Sequence, residues 1–164
     1  MLMLSVSGCR GVVGETLTPA VASRYAASFA AFLTSQTAAK HKPLVVLGRD
    51  GRKGCAMVHH AAVSGLVSAG CDVLDLGVAM TPTVAVLTDA TAQEHTGRVV
   101  AGMVLTASHN PQQWNGLKCL LRFGDNAFSS AAAPPAHLAA GIIETFKSSR
   151  ELTLSWDKLG EVSH

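Results

Sequence analysis

Short apolar runs rich in Val and Leu repeatedly stop at loops of Gly and polar residues, after which a helical pattern resumes. That alternation constrains the fold more than any other feature of the chain. "KPLVVLGRDGRKG" is a β-branched strand closed by a loop containing Gly48, Asp50 and Gly51. Met57 to Ala69 then predicts a helix that is apolar almost all round and ends at Gly70. "CDVLDLG" is the next strand, and Thr81-Pro82 signals a capped helix from about Thr83 to His95. Thr18-Pro19 gives the same signal ahead of Ala20 to Thr37, where Val21, Tyr25, Phe29 and Phe32 recur at helical spacing. "RVVAGMVLTASHN" and "GLKCLLRF" are two further strands, and Pro134-Pro135 opens a last helix. Such alternation predicts a layered α/β domain with a largely parallel sheet, whose ligands gather beyond the carboxyl ends of the strands.

The 164 residues suit one domain with a real core. A formal charge of +2, with no Lys/Arg run, argues against a nucleic-acid partner, and no apolar stretch is long enough to span a bilayer. "MLMLSVSGCRG" has no basic segment before its apolar run, so it does not read as a signal peptide. Cys9, Cys55, Cys71 and Cys119 are widely spaced and form no C-x-x-C, which fits reduced, buried thiols of a cytoplasmic protein. Charged residues supply only 15% of the chain and the mean hydropathy is +0.30. Soluble domains usually carry about a quarter charged residues. A tight Ala/Val core accounts for part of that bias, and a surface covered by other protein accounts for the rest.

Three loops carry the candidate chemistry: "SGCRG", "GRDGRKG" and "TASHNPQQWNG". Ser108 as a hydrolytic nucleophile would need a base within reach, and His109, its neighbour on an extended segment, would point to the opposite side. The G-x-S-x-G pattern is absent as well. Ser108 as a phosphoryl carrier would need cations and amide donors nearby, because a phosphoserine bears nearly two negative charges. His109, Lys118 and Arg10 supply candidate cations, while Asn110, Asn115 and Gly116 can shape the loop. Taken alone, these letters also fit a plain turn between strands. "GRDGRKG" lacks the P-loop spacing, so Asp50 and Arg49 are expected in supporting positions. His59 and His60 are adjacent on a helix and cannot share a metal from one face; they are expected as a core and a surface histidine.

These loops together resemble a known family. "TASHNPQQWNGLK" is similar to the phosphoserine signature of the α-D-phosphohexomutases, which include phosphoglucomutase, phosphomannomutase and phosphoglucosamine mutase. "SVSGCRGVVGETLTP" resembles the family's S-G-[IT]-R-G…E-x-L-T-P opening, "VVLGRDGRKG" its G-R-D-x-R stretch, and "GLVSAGCDVLDLGVAMTPT" its run ending in T-P-T. Order and spacing agree as far as about Arg122. The resemblance implies a three-layer α/β/α domain with a mixed, mostly parallel sheet. It also implies that hexose 1-phosphate and 6-phosphate interconvert through a bisphosphate intermediate, the phosphoryl group passing to and from Ser108. It places Arg10, His109 and Lys118 among groups that steady the phosphoryl or move protons, with Asn110, Asn115 and Arg49 as phosphate-binding side chains. Mg²⁺ is implied as cofactor, contacted through the phosphate on Ser108, and a sugar phosphate as substrate.

Family members have four domains, and residues 1–150 resemble the first, with 151–164 as the linker out of it. The D-G-D-G-D-R metal loop, the G-E-x-S-G-H loop and the S-G-T-E-P loop are absent from these residues. The chain therefore reads as a first domain whose partners are the remaining domains, inactive by itself. The alternative is a stand-alone module that binds a phosphosugar or a protein without catalysis. Continuation of the reading frame into a D-G-D-G-D-R loop separates the first from the second.

Overall fold

The computed structural model describes residues 1–36, 41–122, 131–148 and 150–164. The predicted ends of two elements, at Thr37 and Phe123, lie outside the described residues. Among the described residues, seven strands and four helices follow in this order: β1 (Met3–Ser5), β2 (Gly8–Val12), α1 (Pro19–Ser35), β3 (Leu44–Arg49), α2 (Cys55–Ser68), β4 (Asp72–Val78), α3 (Thr81–Glu94), β5 (Val100–Leu105), β6 (Trp114–Leu120), α4 (Ala136–Lys147) and β7 (Val162–Ser163). They build one sheet in the order β1-β2-β6-β5-β3-β4-β7. β5, β3, β4 and β7 pair in parallel, whereas β1, β2, β6 and β5 pair antiparallel. The sheet is thus mixed, with its two halves built on different ladders.

The local signals explain most of these elements. Thr18 caps α1, its Oγ1 accepting from the Val21 amide at 3.3 Å, and Pro19 occupies the first turn. Thr81-Pro82 carries the same letters but does not act the same way. Helix α3 takes Met80 as its N-cap, with no side-chain cap, so Thr81 lies inside the helix. The Ala79 amide is held by the Arg49 carbonyl at 3.0 Å, which sets where the chain leaves β4 and turns. Gly70 ends α2 with φ +86, as its place in the sequence predicts.

"SGCRG" proves to be strand and not loop. Gly8 (φ +101) turns the chain back from β1, and Gly8–Val12 then pairs with both β1 and β6. The carboxyl-terminal residues also join the fold. β7 adds to β4, and the Leu154 and Gly160 amides donate to the carbonyls of Ser68 and Val67.

Alternation along the strands divides the core between two faces. Phe29, Leu33, Leu47, Leu66, Met103, Leu105 and Leu117 pack beneath α1, α2 and α4. Val46, Val84, Val100, Val104 and Leu120 pack against α3 on the other face. Helices on both sides of the sheet complete the α/β/α layering. Helix α3 leaves Val86 exposed, alongside Val78 and Met80 at its approach, and Trp156 stands 85% exposed near the carboxyl end.

All four cysteines are free and buried. Burial raises Cys9, Cys71 and Cys119 to about 12 and Cys55 to about 11, so thiolate is scarce at neutral pH. A thiol-alkylating reagent at pH 7 is expected to leave the folded chain unmodified and to label all four positions after urea unfolding. Intact-mass measurement reads the difference. His59 is buried and bonded through Nε2 to Asp75 Oδ1 at 3.0 Å, while His60 is exposed.

Candidate functional site

The loop leaving β5 carries Ser108 into solvent at the sheet edge where β3 and β5 end. Its φ of +57 lies in the left-handed region, a conformation that costs a non-glycine residue on the order of 1–2 kcal/mol. Bonds on both sides of the residue hold it there. The Ser108 amide donates to Thr106 Oγ1 at 3.1 Å, and its carbonyl accepts from Arg52 Nη2 at 2.6 Å. Strain of this kind persists where the surroundings over-determine it, and it concentrates at functional sites.

That turn overturns one expectation. On an extended segment His109 would face away from Ser108, but the left-handed residue brings His109 Nδ1 to 3.4 Å from Ser108 Oγ. The separation is long for a strong hydrogen bond and within range for one that tightens when a ligand binds. The Ser108 amide is engaged by Thr106, so it is not itself free as an oxyanion donor.

Arg10 and Lys118 come together through strand register. Arg10 pairs with Gly116 across β2 and β6, and Lys118, two residues further along β6, pairs with Val104 of β5. Both therefore lie on the α3 face of the sheet. A Cβ on Gly116 would sit 2.7 Å from the Cys9 carbonyl oxygen and 3.3 Å from Arg10 Cβ, so only glycine lets the strands close there. Lys118 is held below the usual lysine value, chiefly by burial and secondly by the charge of Arg10. A lowered ammonium loses its proton sooner. Acylation of Lys118 is therefore expected to begin at lower pH than at an unperturbed surface lysine, as peptide mapping across a pH series would show.

Two clefts lie side by side over the start of α3. One, of about 420 Å³, is lined by Arg49, Asp50, Met80, Thr81 and Thr106. The other, of about 380 Å³, is lined by Ser7, Thr81, Pro82 and Lys118. Arg49 thus lines the cleft that Thr106 shares, its Nη1 donating to the Asp50 carbonyl at 3.3 Å. Asn110 shapes the loop with its backbone: its amide donates to the Ala107 carbonyl at 3.1 Å and its carbonyl accepts from Arg52.

Asn115 is fully buried on β6, its Oδ1 accepting from the Gly116 amide at 2.7 Å, so it shapes the strand from within. The alternation of β6 puts it on the face opposite Lys118's solvent-reaching end, among residues packed beneath the helices.

Arg52 is the residue the sequence left unmarked. It is mostly buried and reaches from the β3–α2 loop into the Ser108 loop, touching four of its carbonyls. The second arginine of "GRDGR" was the available signal, but nothing local says that it spans to a loop more than fifty residues away.

Magnesium takes oxygen ligands in near-octahedral geometry. Among the described residues no group of three or more His, Cys, Asp or Glu side chains could hold a metal ion. The phosphate-bearing Ser108 would be one contact, and the residues present here do not fit a whole Mg²⁺ site. No helix of the described residues is long and apolar enough to cross a membrane.

The chain matches a family model described as phosphoglucomutase/phosphomannomutase, alpha/beta/alpha domain I, over residues 2–144. It is 40% identical over 113 residues to a phosphoglucomutase/phosphomannomutase of Thermococcus kodakarensis, covering 69% of this chain and 23% of that protein. With a phosphoglucosamine mutase of Leuconostoc citreum it shares 41% over 121 residues, or 74% of this chain and 25% of that one. A crystal structure of a phosphoglucomutase/phosphomannomutase family protein from Burkholderia thailandensis superposes with a TM-score of 0.68 at 27% identity, covering 98% of this chain and 33% of that one. The chain thus spans about a quarter of the length of these curated relatives. A model match over most of its residues and an α/β/α architecture in agreement with it place this chain in the phosphoglucomutase/phosphomannomutase family, as its domain I.

Proposed function

We propose that this domain is the phosphoserine-bearing unit of a longer enzyme that interconverts hexose 1-phosphate and 6-phosphate through a hexose bisphosphate. The observation that carries the reading is Ser108 itself, an exposed hydroxyl on a left-handed residue braced from both sides at the edge where α/β sheets bind ligands. In the loading step Ser108 Oγ attacks a phosphorus of the bisphosphate. The Oγ–P bond forms, the bond from phosphorus to the sugar oxygen breaks, and that oxygen takes up a proton as the hydroxyl gives one away.

His109, 3.4 Å from Oγ, is placed to accept the hydroxyl proton. Lys118, with its proton loosened by burial and by Arg10, is suited to deliver one to the departing sugar oxygen. Arg10 adds fixed positive charge on the same sheet face, which stabilises charge building on the transferring phosphoryl. Mg²⁺, when bound to such an enzyme, neutralises phosphoryl charge. Its further ligands would come from outside these residues, with the remaining domains also supplying sugar recognition. The 164-residue chain alone is accordingly expected to show negligible mutase turnover. Labelled glucose 1,6-bisphosphate given to the intact enzyme should deposit its phosphoryl group on the Ser108 peptide; label found elsewhere, or none, refutes the assignment.

A further inference from the structure

We infer that Arg52, anchored by Asp50, is a positioning residue for phosphoryl transfer at Ser108; the inference rests on the function proposed above. The guanidinium is used almost to capacity. Nε donates to Asp50 Oδ2 at 3.0 Å, Nη2 to the Ser108 carbonyl at 2.6 Å, and Nη1 to the carbonyls of Asn110 at 2.9 Å, Pro111 at 2.7 Å and Trp114 at 3.3 Å. The two Nη1 hydrogens are shared among three acceptors, with Trp114 the weakest.

Both ends of this brace are themselves fixed. Asp50 Oδ1 accepts from the Arg52 amide at 3.1 Å, and the Asp50 amide donates to the Leu105 carbonyl at 2.9 Å, at the point where the serine loop departs. The Arg52 carbonyl accepts from the Cys55 amide at 3.0 Å, tying it to the first turn of α2. The side chain is only 13% exposed and meets the loop through its carbonyls. Arg52 acts on the reaction through the backbone of the loop that it holds. It turns the Ser108 carbonyl inward, and with the carbonyl so held the left-handed backbone directs the Oγ outward. A lysine at this position would keep the charge but could not span carbonyls this far apart, because an ammonium presents a compact point and no planar fork.

The test uses the intact enzyme, labelled glucose 1,6-bisphosphate as phosphoryl donor, and the label on the Ser108 peptide as readout. In Arg52→Lys the maximal labelling rate is expected to fall about a hundredfold, the usual consequence of a small misplacement of a reacting group, with the donor's KM little changed. Guanidinium ion added to Arg52→Ala should restore part of the rate, a recovery that a damaged fold would not show. If Arg52→Lys does not fold, Asp50→Asn, which keeps the arginine and removes its anchor, is expected to slow labelling several-fold. Labelling at the parent rate in a folded Arg52→Lys protein, or a loss carried by KM alone, overturns the positioning role and leaves the Ser108 assignment standing. A parent enzyme that never labels Ser108 overturns both.

Discussion

Ser108→Ala in the intact enzyme is expected to lower mutase activity by roughly 10⁴-fold or more, because the side chain that carries the group in transit is gone and no neighbour replaces it. The same variant should fold normally. Its hydroxyl is exposed, and the bonds that hold the loop run through the Ser108 amide and carbonyl, which alanine retains. Alanine in the left-handed region pays a similar backbone cost, so thermal stability is expected to change by less than about 0.5 kcal/mol. A melting curve and a coupled mutase assay on the same preparation separate the two effects. Activity that survives the substitution would remove Ser108 from the reaction.

Gly8→Ala is expected to have the largest effect on stability. The residue has φ +101, outside the range that a side chain tolerates well, and a Cβ there would lie 1.9 Å from the Leu117 carbonyl oxygen. Relief requires β2 to pull away from β6. Backbone strain and forced repacking together should cost about 3–5 kcal/mol, a large part of an ordinary domain's stability. The strand that moves carries Arg10, so the substitution links the fold to the site. Urea unfolding of the 164-residue chain reads the loss, and a decrease below about 1 kcal/mol would show that the hairpin relaxes in some other way.

Thr18 and Thr81 show how far local letters reach. Both precede proline, yet only Thr18 caps its helix, because at Thr81 the neighbouring strand holds the Ala79 amide and starts the helix one residue earlier. "SGCRG" has the composition of a loop and becomes a strand, since β6 offers it a ladder and Gly8 supplies the reversal. Asn115 reads as a loop residue and is instead buried on β6, because pairing with Gly11 across β2 sets which face it occupies. Arg52 was hidden for the same reason: its partners lie across the fold.

What the amino-acid sequence determined by itself is the four helices and the strands β3, β4, β5 and β6 in their order, together with the Ser108 loop and the family signature around it. Those depend on periodicity and turn chemistry among residues a few positions apart, where the chain's own geometry dictates the outcome. Tertiary structure alone decided that the β2 and β6 strands lie together and so bring Arg10 beside Lys118. It also decided that Ser108 turns left-handed toward His109 and that Arg52 grips the loop beneath it. Each of these depends on strands and loops distant in sequence meeting in one register, and a register has no signature in either segment taken separately.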